Sequence, residues 1–424
     1  MIKPKKQLMV VYVALAVAGV ILLTAGIILF TPLRQRLEWR ADAGLTYLRH
    51  VVQPVGEMPT PIVAVEPLET ATPQPTPTAT MPAATEVSAT QTPLPTLTPT
   101  ALPQQNKLPS PPFEGQDWNN CGPATLAMYL RFYGWDGKQT NISESLKPIK
   151  ADRNVNVEDL VQYVRANAGW LNAGYRVGGD LNLLRTLIAN GIPVMIESSY
   201  VLPEGSLGIL GPQDDRWTGH YLLVNGYDDA TETFITQNSF VSPDWKVSYS
   251  QLDNDWQSFN RVYILIFRPE QQPLVESILG DNWDVEKNRQ QALQSAQVET
   301  QNNPQNAFAW FNMGSNLVYF ERYVEAAQAY DKAREIGLPM RMLRYQFGPF
   351  LAYFHAGRND DLLALTEYAL KVTANSEETL LWQGWGLYRQ GKTQQALENF
   401  QKALEARPGY GDAQYAIQFV QNNG

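Results

Sequence analysis

A single cysteine and a nearby stretch of polar residues offer the clearest chemistry in this sequence. Cys121 is the only cysteine among 424 residues, and it directly follows the run 116–120, Gln-Asp-Trp-Asn-Asn. Apolar residues recur at helical spacing after it, which predicts a helix that begins at Cys121 and ends near Gly134. Because the positive end of a helix dipole lowers the pKa of a thiol, we expect a reactive nucleophile here. The alternative, a buried structural cysteine, is disfavoured by the small and polar neighbours.

One histidine of the same region can serve as the base for this thiol. His220 begins a strand-like run, and a thiol beside an imidazole forms an activated nucleophile. A hairpin turn predicted after this run brings Asn238 opposite His220, where its side chain can accept the ring N–H and fix the tautomer. Gln237 is the nearest alternative. Asp228 and Asp229 are stronger bases, but they lie about 25–30 Å along the strand from His220.

A glutamine upstream of the cysteine can complete such a site. Gln116 lies five residues before Cys121. Its side-chain amide, together with the backbone N–H of Cys121, can donate hydrogen bonds to an oxyanion that develops during attack on a carbonyl group. A surface glutamine without a role is the alternative. The segment Tyr200–Thr218 carries several leucines and glycines, and we interpret it either as a mobile loop lining a substrate pocket or as a plain connection.

The elements that must position these residues indicate an α+β domain over residues 107–270. Helical patterns come first and strand-like runs come later, which is the order expected when helices pack on an antiparallel sheet. The helical patterns cover 122–133, 156–167 and 180–190, and the strand-like runs cover 193–196, 221–224, 233–236 and 261–267.

The motifs of this domain, taken together, resemble a known family. Gln116 with Asn120-Cys121-Gly-Pro-Ala, then Gly219-His220-Tyr, then Asn238 are similar to the double-glycine-leader (bacteriocin-processing) cysteine peptidases. The resemblance is closest to a stand-alone branch fused to tetratricopeptide repeats, and it implies a papain-like cysteine peptidase fold. Asn238 departs from the family, which usually has Asp at this position. No transporter domain or ATPase follows, so the export role of the family does not carry over.

The N-terminal residues 1–52 predict a membrane anchor. Residues 8–30 contain no charge, and lysines precede them. As a helix of about 35 Å, this run can cross a bilayer. The following residues mix arginines with apolar side chains, which is typical of an amphipathic helix on a membrane surface. The apolar residues are Leu33, Leu37, Trp39, Leu45, Tyr47 and Leu48.

Residues 53–106 predict a Thr/Pro-rich linker. Within 70–103 there are 11 Thr and 8 Pro, and Glu86 is the only charged residue. Such composition gives an extended, partly stiff spacer. Spacers of this kind commonly lie outside the cell, so we expect a single-pass protein of the cell membrane whose C-terminal domains are extracytoplasmic.

Residues 271–424 predict an all-α solenoid of tetratricopeptide repeats. Trp310, Gly314, Ala326, Tyr330 and Ala333 recur 70 residues later as Leu380, Gly384, Ala396, Phe400 and Ala403. This spacing resembles the repeat in which small and large residues of paired helices interlock. Four units over about 273–408 are predicted, with a last helix from Gly411. The run 386–393 matches a phosphate-loop pattern, but it falls on a helix and a turn, so we expect no nucleotide binding.

Composition excludes several other classes of protein. The formal net charge of −9 argues against binding to nucleic acids. One cysteine and three scattered histidines exclude an intrachain disulfide and a Cys/His zinc site, so no metal or cofactor is expected.

These patterns lead to one leading interpretation and two alternatives. The leading one is a membrane-anchored cysteine peptidase that hydrolyses peptide bonds at a Cys–His–Asn site, with repeats that recruit protein partners or substrates. The first alternative is an amidase or acyl-transferring enzyme on the same pair. The second is an inert surface scaffold that acts through its repeats.

Overall fold

The computed structural model describes residues 32–62, 102–147 and 155–423. The predicted membrane-spanning run at 8–30 and most of the Thr/Pro-rich linker lie outside these ranges. Within them, no helix combines the length and the apolar character needed to cross a bilayer. The span at 8–30 therefore stays a prediction.

Helix α1 (Pro32–Val52) forms one compact unit with residues 201–218. The helix covers the residues for which an amphipathic helix was predicted. His50 is buried, and a Cβ added to Gly211 would lie 3.0 Å from the Cβ of His50, so helix and segment are in close contact. Another part of the helix exposes apolar side chains, namely those of Leu45, Tyr47, Leu48, Val51 and Val52.

The middle domain is built on a seven-stranded sheet. Its strands are β1 (Gln105–Lys107), β2 (Asn172–Arg176), β3 (Val194–Val201), β4 (Trp217–Asp228), β5 (Thr233–Asn238), β6 (Ser242–Ser248) and β7 (Tyr263–Phe267). In spatial order they run β2–β7–β3–β4–β5–β6, and β1 pairs with β4. The predicted runs correspond to β3, β4, β5 and β7. Because β1 begins at residue 105, the domain begins slightly before the predicted boundary at residue 107.

Helices cover both faces of this sheet. They are α2 (Cys121–Phe132), α3 (Gln139–Leu146), α4 (Val157–Asn167), α5 (Leu181–Ala189) and α6 (Tyr249–Trp256). Side chains alternate along β4, so Leu222 and Val224 belong to the core that contains α5, whereas Tyr221 and Leu223 belong to the core that contains α2 and α4. This alternation fixes where α2, which carries the cysteine, packs on the sheet.

The C-terminal residues form the predicted helical repeats. The helices are α7 (Gln272–Leu279), α8 (Val285–Asn302), α9 (Ala307–Tyr319), α10 (Tyr323–Ile336), α11 (Gly348–His355), α12 (Asn359–Val372), α13 (Glu377–Arg389), α14 (Thr393–Ala406) and α15 (Gly411–Asn423). Cβ atoms added to Gly314 and Gly384 would lie 2.8 Å and 2.4 Å from the rings of Tyr330 and Phe400, which is the small-to-large interlock that the spacing predicted. The run 386–393, which matches the phosphate-loop pattern, lies at the end of α13, in the following turn and at the first residue of α14.

The repeats and the middle domain belong to one compact unit. The side chain of Asn260 donates to Asn316 at 2.9 Å, and Arg261 forms an ion pair with Glu299 at 2.6 Å. A Cβ added to Gly219 would lie 3.2 Å from the ring of Tyr345, immediately before the candidate base His220. The repeats therefore pack against the middle domain, including the part of β4 that carries His220.

Candidate active site

The segment before Cys121 is held by a buried glutamine. Gln139, on α3, accepts hydrogen bonds at 2.8 Å from the backbone N–H of Asp117 and from the side chain of Asn120. The ammonium group of Lys147 donates to the carbonyl oxygen of Asn119 at 2.6 Å. Asn119 has a positive φ of 53°, so the chain turns sharply just before the helix. Sequence reasoning missed Gln139 and Lys147, which lie at the two ends of α3 and not in the helix that carries the cysteine.

Cys121 is the first residue of α2 and is half-buried. One turn later, the hydroxyl of Thr125 donates to the carbonyl oxygen of Tyr221 at 3.2 Å. The backbone N–H of Tyr221 lies close enough to the thiol to lower its pKa in part. The structure therefore places Cys121 against β4, beside the residue that follows His220. Within the described residues, no hydrogen bond joins the thiol directly to the imidazole.

The expectation that the helix dipole lowers the pKa of the thiol is wrong for this environment. Burial raises the pKa of Cys121, and it outweighs the lowering by the backbone N–H groups of Tyr221 and Gly122 and by the ammonium group of Lys147. The nearby carboxyl group of Glu197 adds to the rise. The thiol is therefore neutral at pH 7, and it needs a base at the moment of attack.

His220 lies near the start of β4 and is bound to Asn238, the last residue of β5. The ring Nε2 and the Asn238 Oδ1 are 2.9 Å apart, so Nε2–H donates to the amide oxygen. The same oxygen accepts the backbone N–H of Phe240 at 3.1 Å, which fixes the orientation of the amide. Asn238 Nδ2 is buried and has no partner among the described residues. Nδ1 of the imidazole is thereby the nitrogen that can accept a proton.

Burial keeps the imidazole neutral. It lowers the pKa of His220 to about 4, and the hydrogen bond that the ring donates to Asn238 opposes this only in part. The rings of Tyr200 and Phe240 lie 5.5 Å and 6.4 Å from the imidazole centroid. These aromatic side chains, which sequence reasoning did not single out, form the apolar surroundings of the ring.

Gln116 is oriented by a neighbour of Asn238. The Ser239 hydroxyl donates to Gln116 Oε1 at 3.0 Å, and the Gln116 backbone N–H donates to the Ser239 carbonyl at 2.9 Å. Since Oε1 is engaged, the Nε2 group of Gln116 remains as a donor. Sequence reasoning missed Ser239 as the residue that positions this amide.

The alternative candidates for the residue that orients the imidazole form hydrogen bonds elsewhere. The Gln237 amide donates to Asn225 at 3.1 Å and to Asp244 at 2.8 Å. Asp229 accepts the hydroxyl of Tyr249 at 2.6 Å, at the far end of the hairpin.

A buried carboxyl group near the thiol had no signal in the sequence. Glu197 lies on β3 and is 9% exposed. Burial raises its pKa to about 8, and the hydrogen bond with the Tyr221 side chain lowers it only in part. At pH 7 this carboxyl group is therefore mostly protonated.

The predicted substrate loop encloses a cavity together with α1. The cavity has a volume of about 730 Å³, and Leu207 and Ile209 line it opposite Tyr47. Leu210 is buried instead of lining the cavity, and Leu202 is not among the lining residues.

Within the described ranges, no cluster of His, Cys, Asp and Glu is suited to hold a metal ion.

Comparisons with known proteins agree with the resemblance that the motifs indicated. Residues 100–264 match the Peptidase_C39 like family, and residues 377–410 match the tetratricopeptide repeat. No curated protein matches the chain. The family matches confirm a C39-like cysteine peptidase domain followed by tetratricopeptide repeats, and hence a cysteine peptidase.

Solved structures with similarity to parts of the chain are only distantly related. Xylellain, a cysteine protease from Xylella fastidiosa, is 16% identical over 40% of this chain and 87% of its own, with a TM-score of 0.30. The peptidase domain of Streptococcus ComA is 18% identical over 38% of this chain and 98% of its own, with a TM-score of 0.28. YrrB, a tetratricopeptide protein, is 21% identical over 32% of this chain and 69% of its own, with a TM-score of 0.28.

Proposed function

We propose that this protein is a membrane-anchored peptidase that hydrolyses peptide bonds through Cys121, His220 and Asn238. The observation that carries the proposal is the 2.9 Å hydrogen bond between His220 Nε2 and Asn238 Oδ1. His220 lies on the strand against which the cysteine helix packs, since Thr125 of that helix donates to the carbonyl oxygen of Tyr221. The bond between His220 and Asn238 holds the neutral imidazole in the tautomer that leaves Nδ1 as the proton acceptor.

The neutral state of both groups determines the order of proton transfers. As the sulfur of Cys121 attacks the scissile carbonyl, its proton passes to Nδ1 of His220, and the carbonyl oxygen becomes an oxyanion. The Nε2 group of Gln116 and the backbone N–H of Cys121 donate to that oxyanion. The imidazolium then gives its proton to the leaving amine, and an acyl-enzyme remains. Water, deprotonated by the same imidazole, releases the acyl group and restores the thiol.

Paired variants test the chemistry. Cys121→Ser and His220→Ala should each reduce cleavage of a peptide library, followed by mass spectrometry, to background. The double variant should be no worse than either single one, because the residues act in the same step. His355→Ala, in the repeats, is the matched control and should keep full activity. Persistence of cleavage in Cys121→Ser would refute the proposal, and products coupled to an added amine would favour acyl transfer over hydrolysis.

We further propose that residues 8–30 cross the cell membrane and that the later domains lie outside the cytoplasm. Support comes from the uncharged run itself and from the exposed apolar side chains of α1, which include Leu48 at 59% exposure and Val52 at 78%. A C-terminal tag should be digested by protease added to intact cells, and the protein should resist extraction at alkaline pH. A tag protected in intact cells and digested only after lysis would reverse the orientation.

The repeats are proposed to recruit protein partners or substrates, because helical solenoids offer an extended binding surface. They also pack on the middle domain, through Asn260 and Arg261 among others. Removing them should therefore reduce the activity on short peptides as well as on proteins. Full activity of the shortened chain on short peptides would show that the repeats serve recognition alone.

A further inference from the structure

The segment that follows α1, at the start of the Thr/Pro-rich linker, is bound to the repeats. Residues 58–62, the docked segment, are bound to the repeats through their main chain. The carbonyl oxygen of Pro59 accepts hydrogen bonds from Arg334 Nε at 3.1 Å and Nη2 at 2.6 Å. Three residues later, the N–H of Ile62 donates to Asp361 Oδ1 at 2.9 Å.

The side chains that hold this segment form a built site. The side chains of Arg334 and Asp361 are 1% and 0% exposed, on α10 and α12 respectively. Arg334 Nη1 also donates to the hydroxyl of Tyr353 at 2.8 Å, and Arg358 donates to Asp361 at 2.8 Å. Asp331 binds both Tyr353 and Arg358. Two guanidinium groups thus face two carboxylates, so the buried charge is balanced, and the segment supplies neutral partners to the remaining polar atoms.

The contacts show which chemistry the site selects. The site binds one carbonyl oxygen and one N–H of the main chain, whereas the side chain of Ile62 is 59% exposed and Thr60 is exposed. Pro59 and Pro61 lack an N–H and have restricted φ, so the free segment is already close to extended and loses little entropy on binding. The ligand class is therefore an extended, proline-containing peptide with a free N–H three residues after the bound carbonyl group.

We infer that the repeats carry a peptide-binding site, formed by Arg334 and Asp361, that is filled by residues 58–62 of the same chain. The inference does not depend on the proposed peptidase chemistry. The other end of the linker is also fixed to the same compact unit, since the hydroxyl of Tyr227 donates to the carbonyl oxygen of Pro103 at 2.7 Å. Only residues 53–57 connect α1 to the docked segment.

Hydrogen exchange on the full chain tests whether the segment is docked. Met58, Thr60 and Ile62 carry the amide protons of the segment, because the prolines have none. The Ile62 amide should exchange at least about tenfold more slowly than in an unstructured chain. Ile62→Ala keeps the N–H and should keep this protection. Ile62→Pro removes the donor to Asp361 and also restricts φ, so the segment should undock and be cleaved faster by an added protease than the segment of the Ile62→Ala chain. Unprotected exchange in the wild-type chain, or no difference between the two variants, would overturn the inference.

Binding in trans tests the ligand class. A fluorescent peptide with the sequence 55–65 is added to the full chain in a Cys121→Ala background, which prevents hydrolysis. It should bind when residues 58–62 are replaced by Gly and Ser, and the wild-type segment should block it. The same peptide with Ile62→Pro should bind at least about tenfold more weakly, as expected for one charge-assisted hydrogen bond. Equal binding of both peptides, or no binding of either, would refute the proposed site.

Discussion

Replacing Asn238 by aspartate tests the electrostatics of the candidate site directly. In the structure the amide oxygen accepts Nε2–H of His220 at 2.9 Å, while Nδ2 is buried without a partner among the described residues. Asn238→Asp keeps the size of the side chain and the accepting oxygen, and it adds a negative charge beside the ring. The variant therefore changes charge while geometry stays nearly constant.

The expected size of the effect follows from the pKa of the ring. Burial lowers the pKa of His220 to about 4, and no charged partner opposes this in the wild-type protein. A carboxylate within hydrogen-bonding distance raises the pKa of a neighbouring base by about one to three units, so the Asn238→Asp protein should have a His220 pKa of about 5 to 7. This corresponds to about 1.4–4 kcal/mol in favour of the imidazolium. At pH 6 the protonated fraction should rise from about 1% to about half, for a shift of two units.

Nuclear magnetic resonance of ¹⁵N-labelled histidine measures this titration. The chain has three histidines, so His220→Ala assigns the signal. A Cys121→Ala background removes coupling to the thiol. Asn225→Asp is the matched control, because Asn225 is fully buried on the same strand and bonds Gln237 instead of the imidazole.

Two results would refute the reasoning. If His220 in the wild-type protein titrates near its ordinary value of about 6.5, burial does not control the ring. If Asn238→Asp leaves the pKa unchanged, or Asn225→Asp shifts it equally, the contact between Asn238 and His220 does not exist in solution.

Three further predictions concern other parts of the protein. Gln116→Ala should reduce kcat/KM by about 100- to 1,000-fold, and Ser239→Ala should reduce it by about fivefold. The double variant should be no worse than Gln116→Ala alone. Additive losses would show that Ser239 does not act through Gln116. Glu197→Gln should leave the rate at which iodoacetamide alkylates the thiol nearly unchanged at pH 7 and increase that rate at pH 9. A carboxyl group with a pKa of about 8 is about 10% ionised at pH 7 and about 90% ionised at pH 9. An equal effect at both pH values would contradict this prediction. Gly384→Ala should destabilise the repeats by about 1–3 kcal/mol in a denaturant titration, since its Cβ would lie 2.4 Å from a facing ring, whereas Gly411→Ala, with open space around it, should be neutral.

The sequence alone was sufficient for features that depend on local spacing. The helix that begins at Cys121 follows from apolar residues at helical intervals. The hairpin that brings Asn238 close to His220 follows from the alternation and the turn between them. The repeat period likewise predicted that Gly384 faces Phe400. In each case, neighbours in the chain are also neighbours in space, so the pattern contains the contact.

Only the tertiary structure could decide features that join distant segments. Burial sets the protonation of Cys121 and His220, and burial depends on the whole fold. The lowering of the thiol pKa expected at the start of a helix is therefore outweighed by burial. Glu197 comes close to the thiol through strand order, which the composition of β3 does not reveal. The docking of Pro59 onto Arg334 joins residues 275 positions apart through a main-chain carbonyl, and a main-chain contact leaves no side-chain pattern in the sequence.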